Sequence, residues 1–149
     1  MALIKDQQLS FSHAATPEIR FADWLSGGTA AGDAVLANGA DDLPSLLAHA
    51  EKLSMIAIEF ETFADGRGFS MARILRRQGY TGEIRAVGDV AMDRIDFMQR
   101  VGFSAFELRD DQDALQALQK IGEVSVHFQP SADGKGPAYM MQTPSLCSP

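Results

Sequence analysis

The sequence predicts an α/β fold, a parallel sheet of about five strands with helices on both faces. Short apolar runs alternate with helical patterns of about three turns, which is the signature of right-handed βαβ units. The links between them are only two to six residues long. The best run, Ser54 to Phe60, is almost continuously apolar, as expected for a strand covered on both faces.

Residues 1–15 are polar and mixed and read as a short strand or coil. Thr16-Pro17-Glu18 is a helix-start signal, with Thr as N-cap and Pro at the first helical position. Ile19, Phe21, Trp24 and Leu25 would supply the apolar side of that helix, and Gly27-Gly28 would stop it. Exposed on the surface, Phe21, Trp24 and Leu25 would suggest a homodimer face. Strands follow near 33–37, 54–60, 83–88, 103–108 and 123–128. Asp41-Asp42 with Pro44 opens a helix whose Leu43, Leu46, Leu47, Ala50 and Leu53 recur at helical spacing. Met71, Ile74, Leu75 and Gln78 form the inner stripe of the next helix, which Gly79 ends. Helices over Met92 to Val101 and over Ala114 to Ile121 close at Gly102 and Gly122, the second preceded by Asp110-Asp111. Residues 1–129 read as a single α/β domain. From Pro130 onward the composition turns to Pro, Gly, Ser, Thr, Met and Gln, so residues 130–149 read as a flexible or partner-dependent tail.

Two architectures fit this string. One is an open flavodoxin-like sandwich, the preferred reading, and the other is half of a (β/α)8-like barrel. In both, the strand C-termini share one face, where α/β proteins bind ligands. That face collects Asp65, Arg67 and Ser70, then Asp89 and Arg94, then Glu107 and Arg109, with His127 and Gln129 near the last strand. Arg85 is a charge inside an apolar strand and must be paired or face a cavity.

The composition narrows the function classes. The net charge of -7 argues against nucleic acid as a general partner. Seven of the 13 basic residues, all Arg, nevertheless fall between Arg67 and Arg100, so a small anion could be held locally. The plainer alternative is solvated helix faces. No run approaches the ~20 apolar residues that cross a bilayer, and Met1-Ala2-Leu3-Ile4-Lys5-Asp6 turns polar too soon for a secretory signal. The cytoplasm is the simplest location. Cys147 is the single cysteine, which excludes an intrachain disulfide and a thiolate metal cluster.

The loop Phe63-Ala64-Asp65-Gly66-Arg67-Gly68-Phe69-Ser70 is the strongest anion-binding candidate. Glycines allow close backbone approach, a helix start presents free N–H groups, and Arg67 adds a fixed charge. It matches neither the Walker loop nor the dinucleotide fingerprint. The alternative is a tight turn in which Asp65 caps the helix and Arg67 pairs with Asp89 or Glu107. The ligand-binding set is therefore Asp65, Gly66, Arg67, Gly68, Ser70, Arg85, Asp89, Glu107 and Arg109. Asp65, Asp89 and Glu107 could also serve acid–base work or a hard cation, although strand-end carboxylates more often cap helices or pair with Arg, and no metal is assigned. His127 reads as structural rather than as a base, His13 and His49 lie in unpromising contexts, and Cys147 is incidental.

Three blocks at matched spacing carry a resemblance. They are Phe63 to Arg73, Gly82-Glu83-Ile84-Arg85-Ala86-Val87-Gly88-Asp89-Val90, and Gly102-Phe103-Ser104-Ala105-Phe106-Glu107-Leu108-Arg109. They resemble a bacterial family of unknown function whose members are usually named as oxidoreductases or as proteins of sulfite reduction, because their genes lie beside assimilatory sulfite reductase genes. The resemblance is close from about Leu53 to Gln129 and weak before Ala34. It implies an accessory role beside a sirohaem and iron–sulfur sulfite reductase, and no catalytic residue. The sequence carries no iron–sulfur cysteine set, haem motif, flavin or nicotinamide fingerprint of its own, so no cofactor is expected. The leading reading is an accessory or small-anion-binding protein of sulfite assimilation with sulfite reductase, or another sulfur-assimilation protein, as partner. The alternative is an enzyme, an oxidoreductase of the same pathway, with its site at the strand C-termini.

Overall fold

The computed structural model describes residues 2–5, 8–10, 15–27 and 33–140. Gly28, His13, Cys147 and the last part of the expected tail, 141–149, lie outside them. The fold is mixed α/β, and the described residues form one sheet of six strands, most of them parallel, and five α-helices. In chain order the elements are β1 (Leu3–Lys5), β2 (Gln8–Ser10), α1 (Phe21–Leu25), β3 (Ala34–Asn38), α2 (Leu43–His49), β4 (Met55–Phe60), α3 (Arg67–Arg77), β5 (Glu83–Gly88), α4 (Ile95–Val101), β6 (Ala105–Glu107) and α5 (Ala114–Lys120).

The strands lie in the order β2-β1-β6-β5-β4-β3. The four parallel strands therefore stand side by side in chain order, as they do along an arc of a (β/α)8 barrel and not as in the flavodoxin order. Right-handed crossovers that always step in one direction bring α2, α3 and α4 to the same face. The burial agrees. Val35, Ala37, Ile56, Ile58, Phe60, Ile84, Ala86 and Phe106, alternate residues of the strands, form one cluster with Leu46 of α2, Met71, Ala72 and Leu75 of α3, and Ile95, Met98 and Val101 of α4. The other strand face carries Leu36, Ala57, Glu59, Arg85, Val87, Ala105 and Glu107. Residues 15–20 cross it, with the Thr16 hydroxyl donating to Glu107, Arg20 Nη1 donating to Glu59 at 2.8 Å, and Arg20 bridging to Leu36 of β3.

Two expected elements take another form. Residues 123–128 are not a strand. The place beside β6 belongs to β1, which pairs antiparallel with it through Leu3↔Glu107 and Lys5↔Ala105. Nor does Thr16-Pro17-Glu18 start a helix, because α1 begins only at Phe21. Thr16 is drawn to Glu107 and Pro17 is buried, so tertiary contacts override a local capping pattern. Elsewhere local chemistry prevails. Asp42 caps α2 by accepting from Ser45 N–H at 3.1 Å, with Pro44 in the first turn. Asp113, rather than Asp110 or Asp111, caps α5 by accepting from Leu115 N–H at 2.9 Å. Beyond the sheet, Arg100 Nη2 donates to Gln129 O at 2.8 Å and pairs with Asp133 at 3.2 Å, which fastens the start of the expected tail to α4.

Candidate functional site

The loops after β3, β4, β5 and β6 converge at the C-terminal end of the parallel strands, as the sheet order requires. The loop after β4 turns at Gly66, which stands at the N-cap of α3, and Gly68 is buried in the first turn against Phe60. Asp65 and Arg67 form a two-point pair, with Nε to Oδ1 at 3.0 Å and Nη2 to Oδ2 at 2.8 Å. The Arg67 N–H also donates to Asp65 Oδ1 at 3.0 Å. The neighbouring loop closes on this pair: a Cβ on Gly39 would stand 2.7 Å from Arg67 Cβ, so only glycine lets the two loops approach this closely. Arg67 thus pairs with Asp65 two residues away, and not with the expected Asp89 or Glu107. Ser70 sits on the exposed side of α3.

Asp89, after β5, belongs to a second closed group. Arg109 Nη1 donates to Asp89 Oδ1 at 2.6 Å, while Arg109 Nε and Nη2 grip Asp111 at 2.9 and 2.7 Å. Hydrogen bonds to Asp111 and then Asp89 raise the Arg109 pKa, and Arg109 lowers that of Asp111. A groove of about 370 Å³ runs beside this group, lined by Ala2, Leu9, Arg109, Asp110, Gln112 and Asp113.

The other two expected residues lie on the sheet face turned away from the core cluster. Arg85 is 3% exposed and donates to Glu83 Oε1 at 2.8 Å, while Lys5 Nζ reaches Glu83 Oε2 at 2.6 Å. Burial opposes the charge on Glu83, but its hydrogen bonds to Lys5 and Arg85 outweigh that and leave its pKa below the ordinary value. Glu107, also buried, accepts from Thr16. His127 is half-buried, and its Nε2 has no partner among the described residues.

Arg94 is the arginine of this end of the sheet that pairs with no carboxylate among the described residues. Its guanidinium lies 4.7 Å from the ring centre of Phe63, 4.8 Å from Phe69 and 5.1 Å from Phe60, and Nη1 reaches Asp89 O at 3.5 Å. The rings form a continuous chain of tilted contacts from the core outward, with Phe60–Phe103 at 5.9 Å, Phe60–Phe69 at 5.2 Å and Phe69–Phe97 at 5.3 Å. Its outer member Phe97 is 50% exposed, and Phe63, which meets Arg94 beside it, is 59% exposed. A cation held over aromatic faces keeps its N–H edges available. The sequence placed Arg94 at this face but not the rings around it, since Phe60, Phe63 and Phe69 come from β4, the loop after it and α3 and meet Arg94 only through tertiary packing.

The Asp65–Arg67 pair makes a pH prediction. Hydrogen bonds from Arg67 pull the Asp65 pKa from 3.8 down to about 2. A depressed folded pKa means that the pair's stabilisation is present above the unfolded value and is lost as pH falls through the folded one. A carbon-detected NMR titration should find the Asp65 carboxylate still ionised at pH 3, with a midpoint near 2. In an Arg67→Ala variant the midpoint should return toward 3.8. An unchanged midpoint in that variant would show that Arg67 does not hold the carboxylate.

Searches of curated proteins and of solved structures returned no match to this chain. A family model described as a bacterial protein of unknown function (DUF934) matches residues 34–139. That span contains β3 to β6, α2 to α5 and every loop at the strand C-termini, and leaves out the β1–β2 hairpin. The chain belongs to this bacterial family of unknown function, DUF934.

Proposed function

We propose that the protein is an accessory of assimilatory sulfite reduction that binds a partner, or a small anion presented by one, at the C-terminal end of its parallel strands. The observation that carries the reading is how charge is distributed there. Arg67 and Arg109, the obvious anion ligands, are each locked to carboxylates, whereas Arg94 pairs with no carboxylate among the described residues and lies over the rings of Phe60, Phe63 and Phe69, of which Phe63 is exposed. Ion-paired strand ends beside an apolar rim, with Arg94 outside those ion pairs among the described residues, suit contact better than proton transfer. The link to sulfite rests on the resemblance of the three sequence blocks described above, and on this reading the protein works in the cytoplasm beside sulfite reductase.

The test is direct. The purified chain should co-elute with assimilatory sulfite reductase in size-exclusion chromatography, and deletion of its gene should slow growth on sulfate but not on cysteine. Failure to form a complex, together with unaffected growth on sulfate, would overturn the proposal.

A further inference from the structure

Residues 124–129, Val-Ser-Val-His-Phe-Gln, have the alternation and β-branched content of a strand, yet they join no sheet. Val124, Val126 and Phe128, alternate residues of this segment, are 49%, 54% and 83% exposed. None of the backbone N–H groups of these residues has a hydrogen-bond partner among the described residues. The carbonyls of His127 and Gln129 accept from Ala138 N–H at 2.7 Å and Arg100 Nη2 at 2.8 Å, while the unpaired N–H groups and the exposed apolar side chains are what strand addition to another sheet would satisfy.

The same chain offers the acceptor. Among the described residues, β2 is the last strand on its side of the sheet and pairs with β1 alone. Its residues Gln8, Leu9 and Ser10 carry no charge, and residues 124–129 contain no carboxylate, lysine or arginine, so pairing them opposes no like charges. Within one chain the segment does not reach this edge. Its far end is fastened to α3 and α4 through Arg73 to Pro130 O at 3.3 Å and Arg100 to Gln129 O at 2.8 Å. Its near end leaves α5, which packs against β1 and β2. A second copy of the chain can meet both needs by two-fold exchange, each segment joining the other's β2.

We propose that residues 124–129 form an arm that pairs with the outer edge of β2 in a second copy of this chain, making a reciprocal homodimer. This surface is distinct from the one around Arg94, and it does not depend on the proposed role in sulfite reduction.

Sedimentation equilibrium of the full chain should show a dimer. Val126→Asp should weaken that dimer by at least about tenfold in dissociation constant without changing the melting temperature of the monomer, because the side chain is already exposed. Two single-cysteine chains, Gln8→Cys and Val126→Cys, each also carrying Cys147→Ser, should form an inter-chain disulfide when mixed and oxidised. A chain that stays monomeric, a dimer indifferent to Val126→Asp, or a dimer in which positions 8 and 126 do not cross-link would overturn the proposal.

Discussion

Replacing Gly88 by Val should destabilise the protein by ~3 kcal/mol or more, since strained backbone positions of this kind cost on the order of 1–3 kcal/mol before any clash is added. Gly88 ends β5 with φ at +86°, a conformation that a β-branched residue adopts only under strain. A Cβ there would also stand 2.5 Å from the backbone oxygen of Phe60. That oxygen accepts from the Asp89 N–H at 2.8 Å, so relief of the clash would displace Asp89 and its pair with Arg109. Denaturant titration should show a lower midpoint with an unchanged slope. A change within about 0.5 kcal/mol, the usual range for an unremarkable surface site, would mean that the close approach of β4 and β5 is not required.

Phe60→Ala should cost ~3–5 kcal/mol, as large-to-small changes at buried aromatics do. The ring is 1% exposed, touches Phe69 and Phe103, and forms the inner wall of the Arg94 site. Phe63→Ala removes another wall of the same site, but from a ring that is 59% exposed. It should leave stability within about 0.5 kcal/mol of the parent while weakening partner binding. Thermal unfolding and binding measured on both variants separate the two contributions. Equal losses of stability in the two would refute the division between a buried support and an exposed contact.

The sequence revealed the elements whose signals are local. The apolar run at Ser54–Phe60, the Asp42 cap and the glycine stops after α3 and α4 are each set by neighbours within a few residues. It misled where distant segments compete. Val124-Ser125-Val126-His127-Phe128 has strand alternation, but β1, more than a hundred positions earlier, holds the edge of β6. Thr16 has the chemistry of a cap, but Glu107 claims its hydroxyl. The sheet order was open for the same reason, because a flavodoxin-like sheet and an arc of a barrel use identical local patterns and differ only in which strand lies beside which.

The candidate site divides along the same line. Asp65, Arg67, Asp89, Glu107 and Arg109 were all visible as charged residues at strand ends, but their pairing was not. The Asp65-Gly66-Arg67 and Arg109-Asp110-Asp111 spacings each place an acid and an arginine two residues apart, a signal that could have indicated local pairs. The surroundings of Arg94 carry no such signal, since its three rings come from β4, the loop after it and α3.

The measurement that bears most directly on this account is the dissociation constant of the complex with sulfite reductase for Arg94→Ala beside that for Arg67→Ala. The account predicts that Arg94→Ala weakens the complex by at least about tenfold, or ~1.4 kcal/mol, while Arg67→Ala, whose charge is already committed to Asp65, changes it little. The reverse order, with Arg67 essential and Arg94 dispensable, would contradict it and return the binding site to the loop after β4.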